Sequence, residues 1–220
     1  MLQAITFLLG GVCHQLPGHS YWAGGQALPL CARCTGTFLG IWVGLLALRL
    51  MGHHSRAGLP SSPATWILGA LAVFWALDGV NSTAEMALGK SLYPPSNLLR
   101  LVSGAGMGVT LGALVAPMTA LAFGTSENAL PAVRSIRDAI TLLAAGGVVT
   151  VAVRFNGWLP YAAWVIALGA AVLGAVGLLN AVLVRLVAPR LRPWGTWFLG
   201  MLLALSEVMG MAALRAFLEI

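Results

Sequence analysis

Cys13, His14, Cys31 and Cys34 fall in one short segment, VCHQLPGHSYWAGGQALPLCARC, just ahead of a long apolar run. Cys13, Cys31 and Cys34 are all the cysteines of the chain. Thiolates and imidazoles are the ligands of tetrahedral zinc sites, where a close cysteine pair often supplies two of four positions. Cys31 and Cys34 fit such a pair, and Cys13 with His14 completes the set across the loop. Adjacent residues share one metal only if the backbone turns between them, so His19 competes with His14 for the fourth position. Four chemistries stay open: a structural metal, zinc first with another transition metal possible; a catalytic or redox-active metal; a thiol–disulfide pair; or three unrelated buried cysteines. In the third case Arg33 between the cysteines would favour the thiolate. The odd cysteine count speaks against a simple disulfide framework.

A second group is carboxylic. Asp78, Asn81, Ser82 and Glu85 stand at i, i+3, i+4 and i+7 of an apolar stretch and so share one helix face. A charge within a bilayer costs several kcal/mol and usually faces a bundle interior or a wet cavity. Asp78, Glu85 and Arg100 are therefore the candidates for catalysis or for lining a pocket, with Asp78–Arg100 the expected ion pair. Glu207 is a further acid inside an apolar stretch, expected to pair with Arg154 or Arg185 or to carry protons. His53 and His54 are expected in an exposed turn.

The elements that must position these groups are membrane helices. The chain is 59% hydrophobic and 8% charged, against about 25% charged in soluble domains. Apolar stretches long enough to cross run over 35–51, 64–88, 97–123, 138–154, 158–187 and 194–218. The first and fourth are short and the fifth is long, which implies uneven tilt. The opening MLQAITFLLGGV is too short to span and lacks the positive start of a signal peptide, so it reads as an interfacial or re-entrant helix. This divides the chain into a Cys/His loop segment at 1–34, three front helices at 35–123, a polar linker at 124–137, and three rear helices at 138–220. Glycines at four-residue spacing, Gly36/Gly40/Gly44 and Gly104/Gly108/Gly112, form ridges that let backbones approach closely. Packing inside one chain is the expected use, with a helix-packed partner or homo-oligomer as the alternative.

Charge sets orientation and excludes some partners. With six crossings the cysteine side carries Arg33, Lys90, Arg100, Arg154 and Arg215. The opposite side carries Arg49, Arg56, Arg134, Arg137, Arg185, Arg190 and Arg192. The bias favours the second side as cytoplasmic and the Cys/His loop as outer, in a prokaryotic cytoplasmic membrane. The formal charge of +6 shows no basic stretch interleaved with aromatics, which excludes a nucleic-acid partner.

The run Cys13-His14-Gln15, followed by Leu30-Cys31-Ala32-Arg33-Cys34-Thr35-Gly36, resembles an uncharacterised prokaryotic membrane-protein family. That family is a domain of unknown function marked by a CHQ…LCARCTG signature. Asp78-Gly79 and the Arg100…Gly104…Gly108 segment are similar to it as well. The resemblance covers roughly residues 10 to 115 and leaves the rear half unmatched. Since the signature lacks His19, it implies His14 as the fourth ligand, and it implies no activity.

The expected fold is thus an all-α integral membrane protein, a polytopic bundle of about six transmembrane helices with an N-terminal Cys/His loop. The leading functional expectation is a Cys/His transition-metal site capping a polar intramembrane pocket, for a small-molecule or lipid substrate not identified by the sequence. A membrane thiol/quinone oxidoreductase using Cys31 and Cys34 is one alternative. An accessory subunit of a membrane complex, or a small carrier, is the other. Whether the chain is an enzyme stays open, as no HExxH or GxSxG signature is present.

Overall fold

The computed structural model describes residues 1–124 and 128–218. Among the described residues seven α-helices form the body: α1 (Leu2–Leu9), α2 (Ala32–Leu50), α3 (Ser62–Leu88), α4 (Asn97–Ala122), α5 (Ile136–Arg154), α6 (Tyr161–Val187) and α7 (Pro193–Leu218). Six of them, α2 to α7, are long and apolar enough to cross a membrane. At 1.5 Å per residue, α2 and α5 reach about 28 Å and the others about 40 Å, so the short and long spans must tilt differently. Helix α1 is an eight-residue piece packed against α6 and α7.

Local chemistry sets the ends. The Cys31 Sγ caps α2 by accepting the Cys34 N–H at 3.5 Å. Ser96 caps α4, and Ser135 with Asp138 forms a reciprocal capping box on α5. Gly89 ends α3 in the left-handed conformation, φ 63°. Two short ladders close the loops. β1 (Trp22–Ala23) and β2 (Gln26–Ala27) form an antiparallel hairpin on the cysteine side, turned through Gly24 and Gly25 at positive φ. β3 (Arg56–Gly58) and β4 (Asn128–Pro131) pair in parallel on the opposite side.

The α2–α4 seam organises the front of the bundle. A methyl on Gly36 would lie 2.5 Å from the Leu101 carbonyl oxygen, one on Gly40 would lie 2.8 Å from that of Ala105, and one on Gly112 would lie 2.8 Å from that of Ile41. Additions at Gly104 and Gly108 would run into the carbonyls of Arg33 and Thr37. Both glycine ridges are therefore spent against each other inside one chain. Outward, large apolar side chains such as Trp66, Leu77 and Val80 are exposed, as a lipid-facing surface requires.

Part of the expected linker lies outside the described residues. Its later residues dock back on the bundle: Ala132 N–H donates to Gly58 O, and Ser61 donates to Val133 O and Arg134 O. This docking corrects the expectation for His53. It is buried, with Nδ1 3.0 Å from Ala132 O, while His54 is exposed as expected.

Candidate metal centre

The loop before α2 folds back so that the Sγ atoms of Cys13, Cys31 and Cys34 all lie within 4.8 Å of one another. A metal with M–S bonds near 2.3 Å sets its sulfurs about 3.8–4.0 Å apart, which lies inside the 4.8 Å bound on this triangle. Cys13 and Cys31 are buried and Cys34 half-buried. They sit in an apolar cluster with Leu9, Leu28, Leu30, Leu101, Ala105 and Trp164. Low polarity strengthens every electrostatic interaction made there.

The electrostatics favour an anionic sulfur at Cys13. The Cys31 N–H donates to Cys13 Sγ at 3.1 Å. Hydrogen bonds from the Cys31 and then the Cys34 thiols pull the Cys13 thiol down to about 2, against the opposing effect of burial. Cys31, as the donor to that thiolate, is pushed up to about 11. The Cys34 thiol also donates to Val12 O at 3.9 Å. Cys31 and Cys34 also occupy the N-terminus of α2, where the helix dipole favours negative charge.

Among the described residues, no histidine or carboxylate joins this group. The structure brings together three of the four residues expected as ligands and leaves His14 outside. The reason lies in the turn. Gln15 takes a left-handed conformation, φ 54°, unusual for a residue with a Cβ. The chain reverses there, so Cys13 points inward while His14 is exposed and its Nδ1 accepts the Leu16 N–H at 3.1 Å. His19 packs edge-on to His14 and lies 3.3 Å from Arg100 Nη2 through its Nε2. Burial, then the neighbouring Arg100 charge, holds His19 below its ordinary value, so it is neutral.

Two residues outside the expected ligand set hold the turn. Gln15 Nε2 donates to Thr6 O at 2.7 Å and Pro29 O at 3.0 Å, tying α1 to the end of the loop. Arg215, on the last turns of α7, donates to Cys13 O and His14 O, both at 2.8 Å, and to Gly10 O and Gln15 Oε1, both at 3.3 Å. Gln15 is visible within the CHQ run. Arg215 gives no signal, because about two hundred residues separate it from its partners.

Asp78 is fully buried, as its mid-helix position implied, but its partner is Arg33 rather than Arg100. Arg33 Nη2 approaches Asp78 Oδ2 at 2.5 Å, and Nε at 3.2 Å; Nη2 also reaches Asp78 O and Ser82 Oγ, each at 2.9 Å. Ser103 donates to Oδ2 and the Tyr93 hydroxyl to Oδ1, each at 3.1 Å. The glycine seam explains the exchange. It lets the first turn of α2 press onto α4 at Gly104, which brings Arg33 against α3. Both carboxylate oxygens are thus occupied by side chains, and the space around Asp78 is a packed network. Asn81 fixes the α3–α4 turn through Leu92 N and Tyr93 O. Glu85 is exposed at the end of the stripe.

Arg100 is buried and binds Asn97 Oδ1 at 3.0 Å, with its Nε lacking an acceptor among the described residues. Glu207 accepts from Asn180 Nδ2 at 2.9 Å instead of from Arg154 or Arg185.

Residues 13–114 match the model of a family described as "Predicted membrane protein (DUF2085)". The matched region holds all three cysteines, Arg33, Asp78 and Arg100, and excludes Arg215. An uncharacterized protein of Methanocaldococcus jannaschii is 28% identical over 107 residues, which is 49% of this chain. The chain spans 63% of that relative's length. No solved structure matches.

Proposed function

We propose that the protein is a multi-pass membrane protein whose working part is a trithiolate transition-metal centre, zinc in the first place, ligated by Cys13, Cys31 and Cys34. The observation that carries this reading is the convergence of three sulfurs from two separate segments within 4.8 Å. Two further features support it. Backbone N–H groups aim at Cys13 and Cys31 sulfurs, which favours their anionic forms. Three thiolates around a divalent ion leave one net negative charge, and the buried Arg100 guanidinium, which makes no ion pair within 4 Å among the described residues, adds positive potential felt by Asp78 and by Cys31.

Structural zinc sites close their tetrahedron with four protein ligands, whereas working sites keep a position for an exchangeable ligand. His14 stands on the exposed side of the loop and is the protein group proposed to enter that position when a fourth ligand is needed, its Nδ1 then releasing the Leu16 N–H. When bound, the metal supplies Lewis acidity or holds a soft ligand. Around it, Gln15 and Arg215 fix the first thiolate. The Arg33–Asp78–Ser103–Tyr93 network fixes the helix end that carries the other two, so Asp78 acts as a positioning residue.

Metal analysis of the purified chain tests the reading. We expect about one equivalent of a thiophilic metal, lost in Cys31→Ser and retained in Glu85→Gln. A metal-free protein with three freely alkylated thiols, purified without chelator, contradicts it.

A second reading draws on the Cys13 thiolate. Held as a thiolate with two thiols beside it, it is placed for a dithiol to pass two electrons and two protons to a quinone and close a disulfide, as a thiol/quinone oxidoreductase would require. A disulfide between two of the three cysteines after exposure to a quinone, with no metal at any stage, would favour it over the metal centre.

A further inference from the structure

At the end of the bundle opposite the cysteines, three arginines converge on a cavity of about 680 Å³. Its walls include Arg56 from β3, Pro63 from the start of α3, and Arg134, Ile136 and Arg137 around the start of α5. Asp138 is the single acid in the wall. Its Oδ2 already accepts the backbone N–H groups of Arg134 and Ser135 and lies 3.9 Å from His53 Nδ1. Arg134 and Arg137 are exposed and make no side-chain ion pair among the described residues. Arg56 spends one contact, at 3.5 Å, on the Pro131 carbonyl. The start of the 19-residue α5 lies in the same wall, and its helix dipole adds positive potential.

Depth and surroundings indicate what such a cavity takes. Pro63 and Ile136 stand in the first turns of two crossing helices, so the cavity stands at headgroup level. Directly along α5 from it, Ile136, Ile140 and Leu143 are exposed at i, i+4 and i+7, an apolar track leading into the hydrocarbon. A guanidinium group matches phosphate oxygens in a two-pronged geometry that a neutral ligand does not exploit. Basic pockets between crossing helices bind acidic headgroups in this way.

We propose that this cavity is a binding site for a phosphate monoanion, supplied by the headgroup of an anionic phospholipid whose chains lie along Ile136, Ile140 and Leu143. The site is independent of the metal centre and stands whether or not the cysteines bind metal.

The test is native mass spectrometry of the full chain in detergent after incubation with equal amounts of phosphatidylglycerol and phosphatidylcholine. Phosphatidylglycerol should be retained preferentially, and the preference should fall about fivefold for each arginine removed in Arg134→Gln and Arg137→Gln. Because both side chains are exposed, the variants should melt with the parent. Equal retention of the two lipids by the parent overturns the proposal whatever the variants do. So does an undiminished preference in a folded double variant. Added inorganic phosphate provides the second arm. Protection from unfolding by phosphate alone, with no lipid preference, assigns the phosphate site to a soluble ligand and overturns the lipid assignment. Lipid preference without phosphate protection assigns it to the headgroup with its chains.

Discussion

Cys13, His14 and Gln15 show how neighbouring residues separate in role. The left-handed turn at Gln15 sends the cysteine into the apolar cluster and the histidine to the surface, and Arg215 fixes that turn through the carbonyls of both. Sequence alone shows the ligand types and the Cys-x-x-Cys spacing. It does not show the handedness of one backbone turn, and so His14 reads as a ligand equal to the cysteines. The thiols also carry a testable proton balance. Cys13 has lost its proton well below neutrality, while Cys31, pushed up to about 11, keeps its own. Because the Cys13 pKa is depressed, its thiolate stabilises the metal-free fold fully above the unfolded thiol's value, near 8.5. That contribution is lost only as pH falls through about 2. Formation of the trithiolate at pH 7 must then release two protons, from Cys31 and Cys34. Calorimetry of zinc binding in buffers of different ionisation enthalpy should count two, with apparent affinity rising about a hundredfold per pH unit. A count of three would mean that Cys13 is an ordinary thiol.

At the scale of elements, the six crossing helices were legible because each is a long apolar run, and their ends agree with the sequence pattern to within a few residues. The glycine ridges were legible as well, since four-residue spacing defines a helix face. What they would bring together was not. Close approach of α2 and α4 moves Arg33 into reach of Asp78, and no pattern within either helix encodes that contact. The seam should be intolerant of bulk. In Gly108→Val, the new atoms meet the Thr37 carbonyl and the backbone of Gly40, which have no side chain to rotate away. Overpacking of this kind costs about 3 kcal/mol. Thermal unfolding in detergent should show a clear loss for Gly108→Val, and little change for Gly147→Val, whose added Cβ has nothing within 4 Å. Similar melting of the two variants would show that the seam does not hold the front helices together.

For the whole molecule, side-chain burial sharpens the orientation argument. On the cysteine side Arg33 is neutralised by Asp78, Arg100 is buried, and Arg215 is engaged by the loop, leaving Lys90 and Arg154 as exposed charges. On the opposite side Arg49, Arg134, Arg137, Arg190 and Arg192 are exposed, with Arg56 and Arg185 half-buried. The positive-inside rule counts charges near the helix ends, and this difference exceeds the bare count in the sequence. We propose that the cysteine side faces outward. A membrane-impermeant maleimide applied to intact cells should label Lys90→Cys, and should label Arg190→Cys only after the membrane is opened. The reverse pattern would place the cysteine cluster on the cytoplasmic side. The C-terminal helix belongs to the same construction, because Arg215 reaches back from beyond the family-matched region to hold the first cysteine. Sequence distance hid that link.

X-ray absorption at the metal edge of the purified protein tests the central claim most directly. The expected first shell is three sulfur neighbours near 2.3 Å and one lighter nitrogen or oxygen neighbour. A first shell with fewer than two sulfurs would contradict a centre built on Cys13, Cys31 and Cys34.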